Sequence, residues 1–452
     1  GTYSDYDGFF SFKNLKPGTY YLKAAYLGYE DYRDTVYLDS QPVELSIVLK
    51  PHVFQTDEVV VSATRLSQNA PATFKNLDKN QIEKMNLGQD IPFIIENSPS
   101  LVATCVAGAG VGYTGLRIRG SDQTRINVTI NGIPINDPES QGVFWVNMPD
   151  ISSSLSSIQI QRGLGTSTNG SGAFGASINM ETNVVQSQGG GSIFNSIGSF
   201  NTRKHHVEFN SGLLNNGFAV EGRLSKTASD GYVDRATSDL KSYYMAAGYY
   251  SKKTSIKAIT FGGDQQTYQA WNGVPQSRIE NDIAGMLAHA ANEGFTEEET
   301  RNLLNSGRTY NYYTYDNQID KYNQNHYQLH LVHTFSSRLS LTAAAHYTMG
   351  EGYFEEFKAR QKFGNYGLKN AIIGSDTITR TDLIRRRWLD NDFYGGTFSL
   401  NYKTGNHNLA IGGGAHFYRG DHFGEITYAR FAPSLPLQNY YDNTAKKTDL
   451  NF

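Results

Sequence analysis

The stretch Arg338–Thr348, RLSLTAAAHYT, puts Leu339, Leu341, Ala343, Ala345 and Tyr347 on one face of an extended chain. Ser340, Thr342, His346 and Thr348 fall on the other. Strand side chains alternate between faces, so one face suits lipid and the other a wet interior. Gly217–Lys226 repeats the pattern, with Phe218, Val220 and Leu224 opposite Glu221, Arg223 and Ser225. His407–Tyr418 does so again, with Leu409, Ile411, Ala415 and Phe417 opposite Asn408, Gly412, Gly414 and His416. Tight connections near Asn215-Asn216, Lys252-Lys253, Ser336-Ser337 and Gly405-Asn406 alternate with long ones at 228–240, 264–322, 351–390 and 420–445. That rhythm is the signature of a transmembrane β-barrel whose wall begins near Gly189. About nine strands and the start of a tenth are legible.

Composition agrees. The 452 residues include 30 Tyr and 24 Phe, as expected of aromatic girdles, although sugar-binding proteins are also rich in Tyr. The net charge of −3 gives no reason to expect a nucleic-acid partner. Mean hydropathy is −0.48 and no run approaches the ~18 apolar residues of a membrane helix. One cysteine, Cys105, excludes an intrachain disulfide. The chain opens inside a domain without Met or a signal, and ends in KKTDLNF as if opening another strand. Both ends are therefore expected to be truncated.

Upstream of the wall the texture differs. Residues 76–187 are Gly-rich and of mixed α/β character. A helix is predicted from Asp78, with Ile82 and Met85 on one face, and another over Gln89–Asn97. Strands are predicted at Leu116–Arg119, Asn127–Ile130 and Ile158–Gln161. In order, LRIRG (116–120), VTINGIPINDP (128–138), ISSSLSSIQIQRG (151–163) and GSGAFGASINMET (170–182) resemble the plug domain of TonB-dependent outer-membrane receptors. Gly163, Gly172 and Gly175 permit positive φ or close backbone approach in such a plug. Plugged barrels have about 22 strands, so more than half of the wall is expected to be absent.

Residues 1–50 read as strands, with Tyr20, Leu22 and Ala24 sharing a face of Thr19–Ala25, and Leu45, Ile47 and Leu49 a face of Glu44–Leu49. DGFFSFKNLKPGTYYLKAAYLGYE (7–30) resembles the carboxypeptidase-regulatory-like β-sandwich, here a partial copy without a zinc-ligand set. Residues 51–75 read as a tether. Within it Asp57, Glu58, Val59, Val60, Val61, Ser62, Ala63, Thr64 and Arg65 resemble the box that engages TonB. A short β-prone strand on a leash can add to a partner's sheet edge. The alternative is a last strand of the sandwich.

The fold class expected is therefore mainly β: a sandwich fragment (1–50), a linker with the box (51–75), an α/β plug (76–187) and part of a transmembrane antiparallel barrel (188–452). The resemblance implies a non-enzymatic receptor of the cell outer membrane without a cofactor. Its implied partners are TonB, outer-membrane lipid and lipopolysaccharide and a small-molecule ligand, with a surface lipoprotein as a further candidate. The leading ligand is a metal chelate: a siderophore, haem or cobalamin. The rival is a glycan importer of the starch-utilisation type, but SATR follows the box here where a V-G-Y-G-like string is typical of those importers. A passive porin would need neither plug nor box.

If the family topology holds, 100–115, 136–147 and 165–172 point outward. Tyr113, Gln141, Phe144 and Trp145 are the candidate ligand contacts, with packing against the wall as the equal alternative. Gly110-Val-Gly-Tyr-Thr-Gly115 matches a dinucleotide loop but precedes a strand, so an apical plug loop fits better. His326 and His330 share a strand face and His333 does not, which disfavours a metal site. Arg385–Arg387 reads as a solvated loop or, alternatively, as contacts for an anionic substrate or for lipopolysaccharide phosphates. Within 264–322, capping boxes at Ser277/Glu280 and Thr296/Glu299 predict helices at 277–291 and 297–306. Ile279, Ile283, Met286, Leu287 and Ala290 would line one face of the first, and Gly307 would close the second.

Overall fold

The computed structural model describes the chain except residues 6, 26–31, 40, 50–64, 67–71, 165–173, 183–187, 406 and 433–438. Strands β1 (Gly18–Ala24) and β2 (Tyr32–Leu38) form an antiparallel hairpin. Tyr20, Leu22 and Ala24 do share its less exposed face. Glu44–Leu49 is not a strand. Neither β1 nor β2 pairs with it, so its alternation has no ladder to join among the described residues.

The plug follows. Its main sheet contains β3 (Phe74–Asp78), β6 (Ile126–Ile130), β7 (Ile133–Pro134), β8 (Leu155–Arg162) and β9 (Ala176–Thr182), in the order β3-β8-β9-β6-β7. Only β6 and β9 run parallel. β4 (Leu101–Cys105) and β5 (Thr114–Ile118) make a separate hairpin. Helix α1 (Lys79–Met85) starts where expected: Asp78 caps Gln81 N–H and the Gln81 side chain returns the bond. The predicted second helix shrinks to α2 (Ile91–Ile94). Gly163 has φ +97°, and a Cβ on Gly175 would lie 2.5 Å from Ser121 Cβ. Both positions need glycine, for different reasons.

The wall is a ten-stranded antiparallel meander. Its strands are β10 (Gly190–Ile197), β11 (Arg203–Asn210), β12 (Phe218–Ser229), β13 (Ser238–Tyr250), β14 (Thr254–Tyr268), β15 (Ile319–Thr334), β16 (Leu339–Lys362), then β19 (Arg380–Thr404), β20 (His407–Ala429) and β21 (Tyr441–Asn451). A hairpin of β17 (Ala371–Ile373) and β18 (Asp376–Ile378) sits between β16 and β19. The long strands correct the expected loops at 351–390 and 420–445. β16, β19 and β20 have 24, 25 and 23 residues, where about ten cross a membrane. Their far halves have no lipid-facing side, so alternation disappears while pairing continues. Glu355 faces Arg386 and Glu356 faces Arg385 in that register.

The hairpin in the longest loop is helical: α3 (Gln276–Ile279), α4 (Ile283–Glu293) and α5 (Glu297–Asn305). The Thr296/Glu299 box forms. The Ser277/Glu280 box does not; Asp282 caps α4 instead and splits the predicted first helix. Met286 and Ala290 are buried, but Ile279, Ile283 and Leu287 are exposed. Gly294, not Gly307, takes the left-handed closing position, after α4.

Plug and wall share a core. Ile82, Ile118, Ile158 and Ile178 of the plug pack with Tyr244, Ile259 and Phe261 of β13 and β14. Beside this core, Asp150 enters a buried cluster from the wall. Its carboxylate lies 2.6 Å from Lys204 Nζ and 2.9 Å from Arg223 Nη1, and accepts from Ser225 Oγ at 2.6 Å. Ser153 and Asn86 of the plug accept from the same Lys204, and Ser154 from Arg223.

Candidate functional site

At the long-loop end, plug apex and wall enclose a cavity of about 610 Å³. Tyr113 reaches it from the loop between β4 and β5. Gly112, with φ +95°, turns that loop against β13, where a Cβ would stand 2.8 Å from Ser238 Oγ. The Tyr113 hydroxyl donates to the Asp320 carboxylate of β15. Burial and that neighbouring carboxylate push the phenol well above its ordinary pKa, so it stays a donor. The Tyr113 ring meets Trp271 edge-on at 5.6 Å and Phe144 at 6.4 Å, and Trp271 meets Phe354 at 5.4 Å. Tyr353 and Trp388 continue the aromatic lining, 4.6 Å apart on paired strands.

Arg387 is the cation of this cavity. Its guanidinium lies 5.5 Å from the Phe354 ring and 5.6 Å from Tyr441, and Nε donates to Tyr441 Oη at 3.2 Å. Among the described residues no carboxylate pairs with it. Its neighbours differ. Arg385 donates twice to Glu356 Oε2, at 2.9 and 2.7 Å. Arg386 donates to Glu355 at 2.7 Å and stacks over Tyr353. The three arginines thus stand on a paired strand, not in a solvated loop. A planar cation flanked by aromatic faces and left without a carboxylate matches an anionic, ring-bearing ligand.

The sequence-derived contacts divide. Tyr113 and Phe144 line this cavity. Trp145 does not: it is 3% exposed, in the plug core. Trp145 opens a 3₁₀ turn that carries its ring into the core, while Phe144, the residue before the turn, stays at the cavity. Gln141 lies in a tight loop at φ 63° and borders a second cavity. The stretch 165–172 lies outside the described residues. Trp271, Tyr353 and Trp388 are not singled out by the sequence as ligand contacts, and Arg387 only in the alternative reading of Arg385–Arg387. Their signal was the aromatic density of YQAWNGVP and RRRW, but 351–390 read as an irregular loop.

Of the segment expected to form the box, Asp57–Thr64 lies outside the described residues, while Arg65 is docked on the plug. It donates to Ser157 Oγ at 2.9 Å and to the carbonyl of Asn179 at 2.7 Å, and lies 3.4 Å from Glu181. Leu66 exchanges two hydrogen bonds with the buried Gln159 amide, at 2.8 and 3.1 Å. The tether therefore meets the plug across β8 and β9. His326 and His330 do face inward together, His330 bonded to Gln328. No group of three metal-ligating side chains occurs among the described residues.

The TonB-dependent Receptor Plug Domain family matches residues 67–177, and the CarboxypepD_reg-like domain matches residues 1–61. No curated protein sequence matches the chain significantly. Solved structures with the same fold include the ferric-catecholate import receptor Fiu of E. coli, 16% identical with TM-score 0.54, covering 79% of this chain and 50% of Fiu. P. aeruginosa FpvA, in a complex with pyoverdine and iron, is 12% identical with TM-score 0.56, covering 85% and 46%. The ferric preacinetobactin receptor BauA of Acinetobacter baumannii is 14% identical with TM-score 0.56, covering 82% and 50%. The chain spans about half the length of these relatives. The chain therefore carries a TonB-dependent receptor plug domain and a CarboxypepD_reg-like domain, ahead of a wall with the fold of these outer-membrane structures.

Proposed function

We propose that this receptor imports a metal chelate, such as a ferric siderophore, haem or cobalamin, and that TonB powers the import through Asp57–Arg65. The observation that carries the reading is the aromatic cavity with Arg387 unpaired by any described carboxylate. A neutral glycan can stack on the rings and accept a hydrogen bond from the guanidinium, but only an anionic chelate also balances its charge. The relatives whose names include ferric catecholate and ferric preacinetobactin support the same class. Ligand bound at the plug apex would signal to the tether, TonB would pair with the box by strand addition, and traction through Arg65 would rearrange the plug.

The test uses the full-length receptor in detergent. Trp271 and Trp388 border the cavity, so an occupant should quench their fluorescence. A ferric catecholate, a ferric hydroxamate, haem, cyanocobalamin and maltoheptaose are titrated in turn. At least one chelate should bind, and Arg387→Ala should weaken it about tenfold, the loss of one charge-assisted contact. Binding of maltoheptaose alone would make this a glycan importer. In cells, Val60→Pro removes a ladder donor and should abolish accumulation while surface binding persists. Normal accumulation would remove Asp57–Arg65 from the mechanism.

A further inference from the structure

The outer cavity does not end blindly. An inner cavity of about 630 Å³ lies between the plug and β15–β21, and the two share Pro134, Asn136, Asp137, Pro138 and Phe393 as lining. What separates them is the plug loop 136–142. This loop is stiff in itself. Asp137 Oδ1 accepts from the Glu139 N–H at 3.1 Å, the Ser140 N–H at 2.7 Å and Ser140 Oγ at 2.8 Å. Asn136 roots it on β6, accepting from Val128 N–H at 2.7 Å and donating to the Ile126 carbonyl at 2.8 Å.

Its hold on the wall is slight by comparison. Glu139 Oε2 accepts from Tyr418 Oη and from His422 Nε2, both at 2.7 Å, and Lys447 Nζ donates to the Pro138 carbonyl at 2.5 Å. Tyr418 borders the inner cavity and His422 the outer one, so Glu139 bridges the partition itself. Its side chain is 28% exposed, and water can replace these contacts. Gly420 makes the room: a Cβ there would fall 2.4 Å from Tyr418 Oη and 3.0 Å from Glu139 Oε2.

We infer that loop 136–142 is a gate between two ligand stations, with Glu139 as its latch, and that solute moves from the outer to the inner cavity along β16, β19 and β20. This rests on the import reading above. An anionic occupant of the outer cavity competes with Glu139 for His422, which borders the same space. The occupant thereby loosens the latch that holds it out. The loop then swings on its Asn136 root as a unit, because its internal bonds do not involve the wall.

The experiment needs no known ligand. Full-length receptor lacking native cysteines (Cys105→Ser here) is displayed on intact cells and labelled from outside with a membrane-impermeant maleimide. Thr342→Cys reports the inner cavity, Gln324→Cys the outer cavity, and Ser177→Cys the plug core. Glu139→Ala should raise the labelling rate at 342 at least tenfold, leave 324 unchanged, and leave 177 unlabelled. Labelling at 342 that is unaffected by Glu139→Ala, or already fast beside an intact Glu139, would overturn the gate. A matching rise at 177 would also overturn it, since the whole plug would then have loosened. Because no transport step enters the assay, a working gate in a receptor that imports nothing would fault only the import reading.

Discussion

Two carboxylates of the plug meet the wall in opposite ways. Asp150 is 2% exposed and held by Lys204, Arg223 and Ser225 of β11 and β12. Glu139 is 28% exposed and held by Tyr418 and His422 of β20. One side of the plug is fixed by buried charge and the other rests on contacts that water can replace.

Asp150→Ala should have the largest effect. It would strand two buried cations, and breaking such a pair costs about 3–5 kcal/mol. Hydrogen exchange of β8 and β9 amides in the full-length receptor should speed up accordingly; a change under about 1 kcal/mol would erase the contrast between the two sides. Asp90 sharpens it within the buried side. Burial raises the Asp150 carboxyl too, but Arg223, His206 and Lys204 outweigh burial and hold it well below the usual range. Among the described residues no cation pairs with Asp90. Burial pushes it up to about 7 against the lesser pull of hydrogen bonds from Thr114 and Gly112. The folded plug therefore keeps a proton that the unfolded chain has released, so stability falls as pH rises from about 4 to about 7 and levels off above. The slope approaches about 1.4 kcal/mol per pH unit. Plug unfolding followed against pH should lose this slope in Asp90→Asn, whose amide still accepts from Thr114.

Arg65→Ala should come next, at about 1–3 kcal/mol, because it removes charge-assisted bonds from a nearly buried group. Faster exchange should be confined to the ends of β8 and β9 near Ser157 and Glu181, and Arg65→Lys should restore part of the protection. Glu139→Gln should do least, under about 1 kcal/mol. Only amides of 136–142 should exchange faster. A loss of protection in β8 as large as that from Asp150→Ala would show that both edges carry the plug equally.

The sequence made particular parts of this legible. Alternation in Arg338–Thr348 is imposed by a wall with lipid on one side and polar lumen on the other, so it survives as a pattern. The capping pairs Asp78/Gln81 and Thr296/Glu299 act within four residues and form as read. The Ser277/Glu280 pair failed because Asp282, five residues on, competes for the same helix start.

The aromatic cavity was another matter. Tyr353, Phe354, Arg387 and Trp388 stand on the far halves of β16 and β19, where sequence neighbours such as Glu355 and Glu356 are both buried and no alternation betrays them. Trp145 and Phe144 are indistinguishable as a dipeptide; the direction of a single 3₁₀ turn sends one into the core and the other into the cavity. Glu139 meets Tyr418 across 279 residues. The sequence by itself determined which segments are wall, plug and capped helix, because those follow from forces between near neighbours. The tertiary structure alone decided which rings, cations and carboxylates converge, because that depends on strand register and on how the plug sits against the wall, and neither leaves a mark on local spacing.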